Sequence, residues 1–296
     1  MNGESHIAKL SFQRVTDPKS LIPILKERHP QSCFIYNQVV SHERFKDDIT
    51  FYTVGTNLDE NTWIVSNYIR EDHGSNISIS APRAIVDGRE HIPLEIKESF
   101  MSSDVVSWDG RTYFAALERR VSNMIFDISA NVKGNITAVH PCILYYLDIE
   151  DALKLEISHG PEVSEVRRLL PDKESQFILS TWKYVFDGAE IVVPKCIATN
   201  ASAGVFIDGN CVAGVMTPGV GLISALYTFQ EYRGKGYAKL TMKYCFKEFA
   251  KDGCIPCSTV EMRNERSVAF HQSLGVKVSS IVDWIEMKAF EADWVQ

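Results

Sequence analysis

The sequence predicts a mixed α/β (α+β) protein in which a mostly antiparallel sheet is flanked by helices. Short apolar runs of strand type alternate with segments of helical periodicity along the whole chain. Turn signals such as Asp208-Gly209 separate runs that lie close enough to pair as hairpins. The 296 residues are 45% hydrophobic and 23% charged, which is enough apolar material for real cores and excludes a disordered or low-complexity chain.

Charge and hydropathy exclude several classes of partner. The formal net charge of −7 argues against a dedicated nucleic-acid binder, because such a protein needs a clustered basic surface. The apolar stretch Cys142–Leu147 is far shorter than the roughly 20 residues of a membrane helix, so no membrane insertion is expected. The N-terminal residues contain no run of signal-peptide type. We therefore expect a cytoplasmic protein, with a mitochondrial location left open, and mostly reduced thiols.

The first half of the chain shows strands and turns without obvious chemistry. Turn signals stand at Asp87-Gly88 and Asp109-Gly110. The polar stretch Ser158–Glu162 then interrupts the pattern and predicts a boundary between domains 1–160 and 161–296. The predicted strands are Phe51–Val54, Thr62–Ser66, Ile77–Ile79 and Arg111–Ala115.

The second half is predicted element by element. Val163–Tyr184 is helical in character, with a break at Leu170-Pro171. Val205–Ile207 and Cys211–Met216 form a hairpin around the Asp-Gly turn. Leu222–Phe229 is the third strand of this meander.

A glycine-rich loop follows the third strand directly and leads into a predicted helix, Leu240–Ala250. A strand, a glycine-rich loop and a helix N-terminus together form an anion site, because unpaired backbone N–H groups converge and the helix dipole favours negative charge. The alternative is a plain tight turn between strand and helix. Neither a Walker sequence nor a dinucleotide fingerprint is present, which disfavours nucleoside triphosphates and nicotinamide cofactors. The loop residues are Arg233, Gly234, Lys235, Gly236, Tyr237 and Ala238.

This loop resembles the (Gln/Arg)-x-x-Gly-x-(Gly/Ala) motif of the GNAT superfamily of N-acyltransferases. The resemblance extends to a strand at Cys257–Met262 and to a helix led by Asn264 that includes Ser267. It implies that the loop holds the pyrophosphate of acetyl-CoA or another acyl-CoA. It also implies that the backbone of Leu226, Tyr227 and Thr228 meets the pantetheine and thioester, with Asn264 and Ser267 on the other side.

The chain further resembles the glycine N-acyltransferase family in length and in several short stretches. These are Ser175–Ile178, Thr228 with Glu231–Arg233, and Val260-Glu261 followed by Asn264-Glu265. The resemblance implies tandem GNAT-like folds, with a degenerate N-terminal GNAT-like domain at 1–160 and a catalytic, acyl-CoA-binding domain at 161–296. It also implies direct transfer of an acyl group to the amine of glycine or another small amino acid.

The catalytic acid and base are predicted at Glu261 and His271. The glycine acyltransferases carry a glutamate on the strand before the loop, and Leu222–Leu226 contains no acid here. Glu261, just before Asn264, is the substitute base; the alternative is a surface carboxylate at a strand end. His271 lies where many GNAT members have the tyrosine that protonates the departing thiolate, and an imidazole can donate a proton at neutral pH. A solvated helical histidine is the other interpretation.

Other features are predicted to be structural, and two further functions stay open. Cys254 and Cys257 are expected to be buried thiols, and no residue cluster has the spacing of a metal site. A protein or peptide N-acetyltransferase would use the same motif with a longer acceptor groove. A non-catalytic acyl-CoA-binding module would bind without turnover. The oligomeric state and the acyl chain are not determined by the sequence.

Overall fold

The computed structural model describes residues 10–55, 57–70, 74–186, 188–219 and 221–288. They form a mixed α/β fold with sheets flanked by helices, which confirms the predicted class. The strands are β1 Phe12–Arg14, β2 Ile49–Val54, β3 Trp63–Arg70, β4 Gly74–Ser80, β5 Thr112–Glu118, β6 Ile136–Tyr146, β7 Glu165–Arg167, β8 Ser202–Ile207, β9 Asn210–Met216, β10 Ser224–Thr228, β11 Cys257–Glu261 and β12 Lys277–Met287. The helices are α1 Ile22–Glu27, α2 Cys33–Val40, α3 Arg83–Val86, α4 Leu94–Met101, α5 Arg119–Asn131, α6 Ile149–Leu153, α7 Pro171–Thr181, α8 Ala189–Thr199, α9 Tyr237–Lys251 and α10 Glu265–Ser273.

The chain divides into two compact units that are discontinuous in sequence. Unit 1 contains the described residues of 1–28, 47–141 and 281–296, and unit 2 contains 29–46 and 142–280. This division differs from the predicted single boundary near residue 160. The contacts of α2 show why: Asn37 is fully buried and donates to Gly221 O at 2.9 Å and to Ile255 O at 2.8 Å. Its Oδ1 accepts from Ile255 N at 2.7 Å, so an early segment belongs to the core of unit 2.

Unit 1 is organised around a mostly antiparallel sheet. Strands β1 to β5 follow one another in spatial order, and the last residues of β12 pair antiparallel with β5. Strands β4 and β5 pair in parallel at three positions. Helix α5 buries one face on this sheet, because its apolar residues recur at helical spacing. These residues are Val121, Met124, Ile125 and Ile128.

Unit 2 contains a four-stranded antiparallel sheet in the order β10-β9-β8-β7. Helices α7 and α8 share a core with Phe206 and Met216, whereas α9 shares one with Ala203 and Val215. Because side chains alternate along a strand, the two groups of helices cover opposite faces of this sheet. Strand β11 pairs antiparallel with the last five residues of β6. The β8–β9 hairpin with Asp208-Gly209 at its turn is confirmed.

The prediction of a helix throughout Val163–Tyr184 is wrong in its first part. Residues Glu165–Arg167 form β7 and pair with β8, and the helix begins only at Pro171. Proline fits this first helical position because its missing N–H would have no intrahelical partner there. Glu174 strengthens the start, since its Oε2 accepts from Leu170 N at 2.5 Å. The predicted break at Leu170-Pro171 is therefore the N-terminus of α7.

Cys254 and Cys257 are buried free thiols, as predicted. Within the described residues, no helix has the length and apolar character needed to cross a membrane.

Candidate functional site

The candidate site is built on the irregular end of β10. Ser224 lies opposite Met216 and Tyr227 lies opposite Gly214, so the register shifts between them. Ala225 has a φ of 58°, and it stands with Leu226 against a single residue of β9, which is a β-bulge. Just before β10, Ile223 N donates a hydrogen bond to Cys257 O of β11 at 2.8 Å. Beyond that bond the strands belong to different sheets, so they diverge and leave the backbone around Leu226 outside a ladder.

The loop after β10 depends on two glycines for its backbone conformation. Gly234 has a φ of 77° and Gly236 a φ of 84°, in the left-handed region that favours glycine. A Cβ built on either residue would meet no atom within 4 Å, so the space above both is open. Gly236 is the N-cap of α9, which is 15 residues long. The first-turn N–H groups of this helix therefore face open space with the positive end of the helix dipole.

Arg233 holds the loop against the strand. Its Nε donates to Thr228 O at 2.9 Å, and its guanidinium lies 5.4 Å from the centroid of the Tyr227 ring. Lys235 is exposed, with its Nζ 5.6 Å from the Tyr232 ring centroid. Two cations thus stand beside the helix N-terminus, where an anion would be favoured.

A cleft of about 490 Å³ lies between this loop and α10. Thr228 Oγ1 is buried in the wall of the cleft without a hydrogen-bond partner. Of the predicted cofactor-binding residues, all but Lys235 line the cleft: Leu226, Tyr227, Thr228, Arg233, Gly234, Gly236, Tyr237, Ala238, Asn264 and Ser267. Lys235 lines a neighbouring cavity of about 250 Å³. The structure therefore brings together residues that are up to about forty positions apart.

Sequence reasoning missed five residues of the cleft wall. They are Tyr232, Lys239, Arg266, Phe270 and Ser273. The last three recur at helical spacing and share the face of α10 that carries Ser267. Extending the predicted helix by this spacing from Asn264 would have found them.

Asn264 caps α10 at the edge of the cleft. Its Oδ1 accepts from Ser267 N at 3.1 Å, the bond that an N-cap side chain makes. Asn264 thus caps the helix that it leads and also lines the cleft.

Glu261 is the last residue of β11, and both of its carboxylate oxygens are engaged. Tyr184 OH donates to Oε1, Lys183 Nζ lies 3.5 Å from the same oxygen, and Arg263 Nε lies 2.7 Å from Oε2. The hydrogen bond from Tyr184, followed by that from Arg263, lowers the pKa of this carboxyl to about 2. Such a carboxylate accepts a proton weakly, and it does not belong to the cleft wall. Its role as the base stays a prediction.

His271 is packed inside the fold. It is 6% exposed, its Nδ1 lies 2.8 Å from Ser267 O, and its ring stacks on Tyr145 at a centroid distance of 5.2 Å. Burial lowers the pKa of this imidazole, so the neutral form is favoured. The alternative interpretation, a solvated helical histidine, is wrong, because Tyr145 and Phe270 cover the ring. Proton donation to a thiolate stays a prediction.

Comparisons with known proteins agree with this geometry. Residues 193–276 match the model of the acetyltransferase (GNAT) family. These residues carry the GNAT acetyltransferase fold. The matched segment runs from α8 to the end of α10 and includes β10, the glycine loop and Asn264. Members of that family use acyl-CoA as co-substrate.

Solved structures extend the likeness of fold to nearly the whole chain. The X-ray structure of a Drosophila protein is similar over 95% of this chain and 99% of its own, with 17% identity and a TM-score of 0.78. A GCN5-related N-acetyltransferase from Sphaerobacter thermophilus is similar over 95% of this chain and 96% of its own, with 9% identity and a TM-score of 0.50. At these identities the likeness concerns the fold alone. A comparison with curated proteins found no match.

Proposed function

We propose that this protein is an N-acyltransferase that moves an acyl group from acyl-CoA to the amine of a small acceptor, such as glycine or another amino acid. The observation that carries the proposal is the open glycine loop at the N-terminus of α9, placed at the end of a bulged strand that diverges from its neighbour. The match to the acetyltransferase family at residues 193–276 supports it.

The residues present fit acyl-CoA. Gly234 and Gly236 leave open space for a diphosphate against the backbone, and Arg233 adds positive charge beside it. Thr228 Oγ1 is a buried donor without a partner, which a polar group of a ligand in the cleft would satisfy. Acyl-CoA supplies the acyl group as an activated thioester. Its narrow pantetheine arm suits the cleft between β10 and α10.

The bulge in β10 would orient the reacting carbonyl. Because Ala225 and Leu226 stand outside the β9 register, backbone N–H groups there would face the thioester oxygen. Donors held in place before the reaction stabilise the negative charge that develops on that oxygen. This role requires no particular side chain at these positions.

Transfer would be direct, from the thioester to the acceptor nitrogen. No cysteine lies in the described wall of the cleft. Burial also raises the pKa values of the Cys211, Cys245 and Cys254 thiols to about 12, so these groups are poor nucleophiles at neutral pH. As the amine attacks, the carbon–sulfur bond of the thioester breaks and CoA leaves as a thiolate that is protonated to the thiol, while a water in the cleft would receive the proton that the amine loses.

A thiol-release assay tests this function. Acetyl-CoA and benzoyl-CoA are offered with single amino acids and with short peptides. The wild-type chain is compared with Arg233→Glu/Gly236→Trp, which places a negative charge and an indole in the loop, and with Gly209→Trp, which places an indole at a glycine of similar φ outside the cleft. We expect turnover that depends on one class of acceptor, survives in Gly209→Trp and is lost in the loop variant.

Three other results would contradict the proposal in different ways. Turnover with peptides but not with free amino acids would indicate a protein or peptide N-acetyltransferase. Acyl-CoA binding without turnover on any acceptor would indicate a non-catalytic binding module. Turnover that survives in the loop variant would place the site elsewhere.

A further inference from the structure

Strand β10 separates two environments in unit 2. Ala225, Tyr227 and Phe229 pack in the core of α7 and α8, which also includes Trp182 and Phe186. Leu226 packs in the other core, with Phe270 and Leu274 of the α10 region. The segment between α7 and α8 therefore lies on the face of β10 opposite to α9 and α10.

The proposed acyl-CoA cleft is formed on the α9 and α10 side. Its wall contains the glycine loop and the α10 residues Ser267 and Phe270. A second substrate that reaches the diverging ends of β10 and β11 must approach from the other side, because the first substrate fills the cleft. The described residues that lie there include 182–186, the start of the connection between α7 and α8.

This connection is fastened to β11 through one carboxylate. Tyr184 OH and Lys183 Nζ contact Oε1 of Glu261, and Arg263 Nε contacts Oε2. The carboxylate is 14% exposed, whereas Lys183 and Arg263 are 70% and 74% exposed. Glu261 is thus a largely buried carboxylate at the end of β11 that contacts two otherwise solvated cations. We call Glu261, Tyr184, Lys183 and Arg263 the Glu261 latch.

We propose that Glu261 is a positioning residue: through the Glu261 latch it fixes residues 182–186 beside the diverging strands and thereby sets the affinity for the amine acceptor. The effect on acceptor affinity rests on the proposed function. The fixing of residues 182–186 rests on the contacts of Glu261 alone. It gives the charge of the carboxylate a purpose other than receiving the proton.

The surroundings of the carboxylate separate the two roles. The ionisable groups that face it are Lys183 and Tyr184 from the connection, Arg263 from the turn after β11, and Cys142, which lies opposite it in β6. Removing the Tyr184 hydroxyl deletes the largest cause of the low pKa and makes the carboxylate more basic. A base would then keep or increase its rate, whereas a latch would lose its hold on the connection.

The test uses the full chain with Tyr184→Phe, Glu261→Gln and, as a matched control, Glu265→Gln, which removes an exposed carboxylate from the first turn of α10. Hydrogen exchange of peptides that cover 182–186 is measured first, since it needs no turnover. The acceptor KM, kcat and the Kd of acetyl-CoA are then measured with the acceptor that the thiol-release assay identifies.

We expect faster exchange at 182–186 and an acceptor KM raised about tenfold in Tyr184→Phe and Glu261→Gln, as for a lost hydrogen bond to a charged group. The Kd of acetyl-CoA and the control variant should be unchanged. The proposal is overturned if exchange at 182–186 is unchanged, or if Glu261→Gln lowers kcat by about a hundredfold or more at constant acceptor KM while Tyr184→Phe keeps its rate. If the wild-type chain turns over no acceptor, the proposed function fails, and the exchange experiment still decides whether the latch holds the segment.

Discussion

Two pairs of strands in this chain begin side by side and then diverge, one in each unit. In unit 1, β4 and β5 pair in parallel at three positions that end with Ile77 and Phe114, although both strands continue. In unit 2, Ile223 N, just before β10, donates to Cys257 O of β11, and the two strands then belong to different sheets. A non-glycine residue with positive φ marks each pair, Ala116 in β5 and Ala225 in β10.

The two pairs differ in what lies between and beyond their ends. In unit 1, Ile79, Ala81, Leu117 and Val121 belong to one buried apolar cluster. In unit 2, the glycine loop leads into the 15-residue helix α9, and a cleft of about 490 Å³ remains. By contrast, β4 continues through Pro82 into α3, which has four residues.

Diverging strands are therefore a property of the fold and do not form a binding site by themselves. An anion site also needs a backbone that exposes N–H groups at the start of a long helix, and a gap that side chains leave open. Unit 2 meets both conditions and unit 1 fills its gap with apolar groups. That the N-terminal part is a degenerate GNAT-like domain stays a prediction, which this difference favours.

The largest effect is expected when the part of the chain before residue 163 is removed, which tests whether the cleft of unit 2 can form without it. A fragment of residues 163–296 lacks α2 and β6, and therefore Asn37 and the strand that pairs with β11. We expect it not to fold, because buried polar and apolar groups of unit 2 lose their partners. Circular dichroism and amide NMR dispersion check this. A soluble, active fragment would show that unit 2 does not need residues 29–46.

A cavity in the apolar cluster of unit 1 should lower the stability of the protein without changing its affinity for acetyl-CoA. Leu117 is fully buried, and Leu117→Ala should lower the free energy of unfolding by about 2–5 kcal/mol. The affinity for acetyl-CoA should be unchanged. Leu226→Ala, in the cleft wall, is the matched change in unit 2. It should lower the free energy of unfolding less than Leu117→Ala does, and it should weaken the binding of acetyl-CoA. Urea unfolding and calorimetric titration measure both. Loss of affinity in Leu117→Ala would indicate that the two pairs are coupled.

A substitution in the glycine loop should weaken the binding of acetyl-CoA. Gly236→Ala adds a methyl group that meets no protein atom within 4 Å, so it strains the positive-φ backbone and takes up space proposed for the diphosphate. We expect about tenfold weaker binding of acetyl-CoA, the equivalent of roughly 1.4 kcal/mol. Gly209→Ala, with a φ of 77° in the β8–β9 turn, is the control and should bind normally. Equal losses in both variants would mean that general destabilisation, and not the loop, is measured.

The smallest expected effect is the dependence of stability on pH at the end of β11. The pKa of Glu261 is lowered from 4.5 to about 2, so its contribution to stability is present above about pH 4.5 and is lost as the pH falls toward 2. Glu261→Gln should therefore show a smaller loss of unfolding free energy between pH 5 and pH 3 than the wild-type chain, measured by urea unfolding. Identical pH profiles would contradict the ion pairs and the hydrogen bond of the latch.

Features that depend on neighbouring residues could be predicted from the sequence. The Asp-Gly hairpin, the positive φ of Gly234 and Gly236 and the cap at Asn264 each follow from local backbone preferences, so they could be predicted without a fold. The resemblance of the loop to an acyl-CoA motif rests on the same short stretch. Most of the residues predicted to bind the cofactor line the cleft for this reason.

The segments that are distant in sequence and meet in space could not be predicted in this way. Nothing local to residues 29–46 indicates that Asn37 completes the core of unit 2, and nothing local to Glu261 indicates that Tyr184 holds it. The same holds for His271, whose burial depends on Tyr145 of β6. The physical reason is that burial, ion pairing and pKa are set by what packs around a group in space, whereas turns and caps are set by the few residues on either side of it.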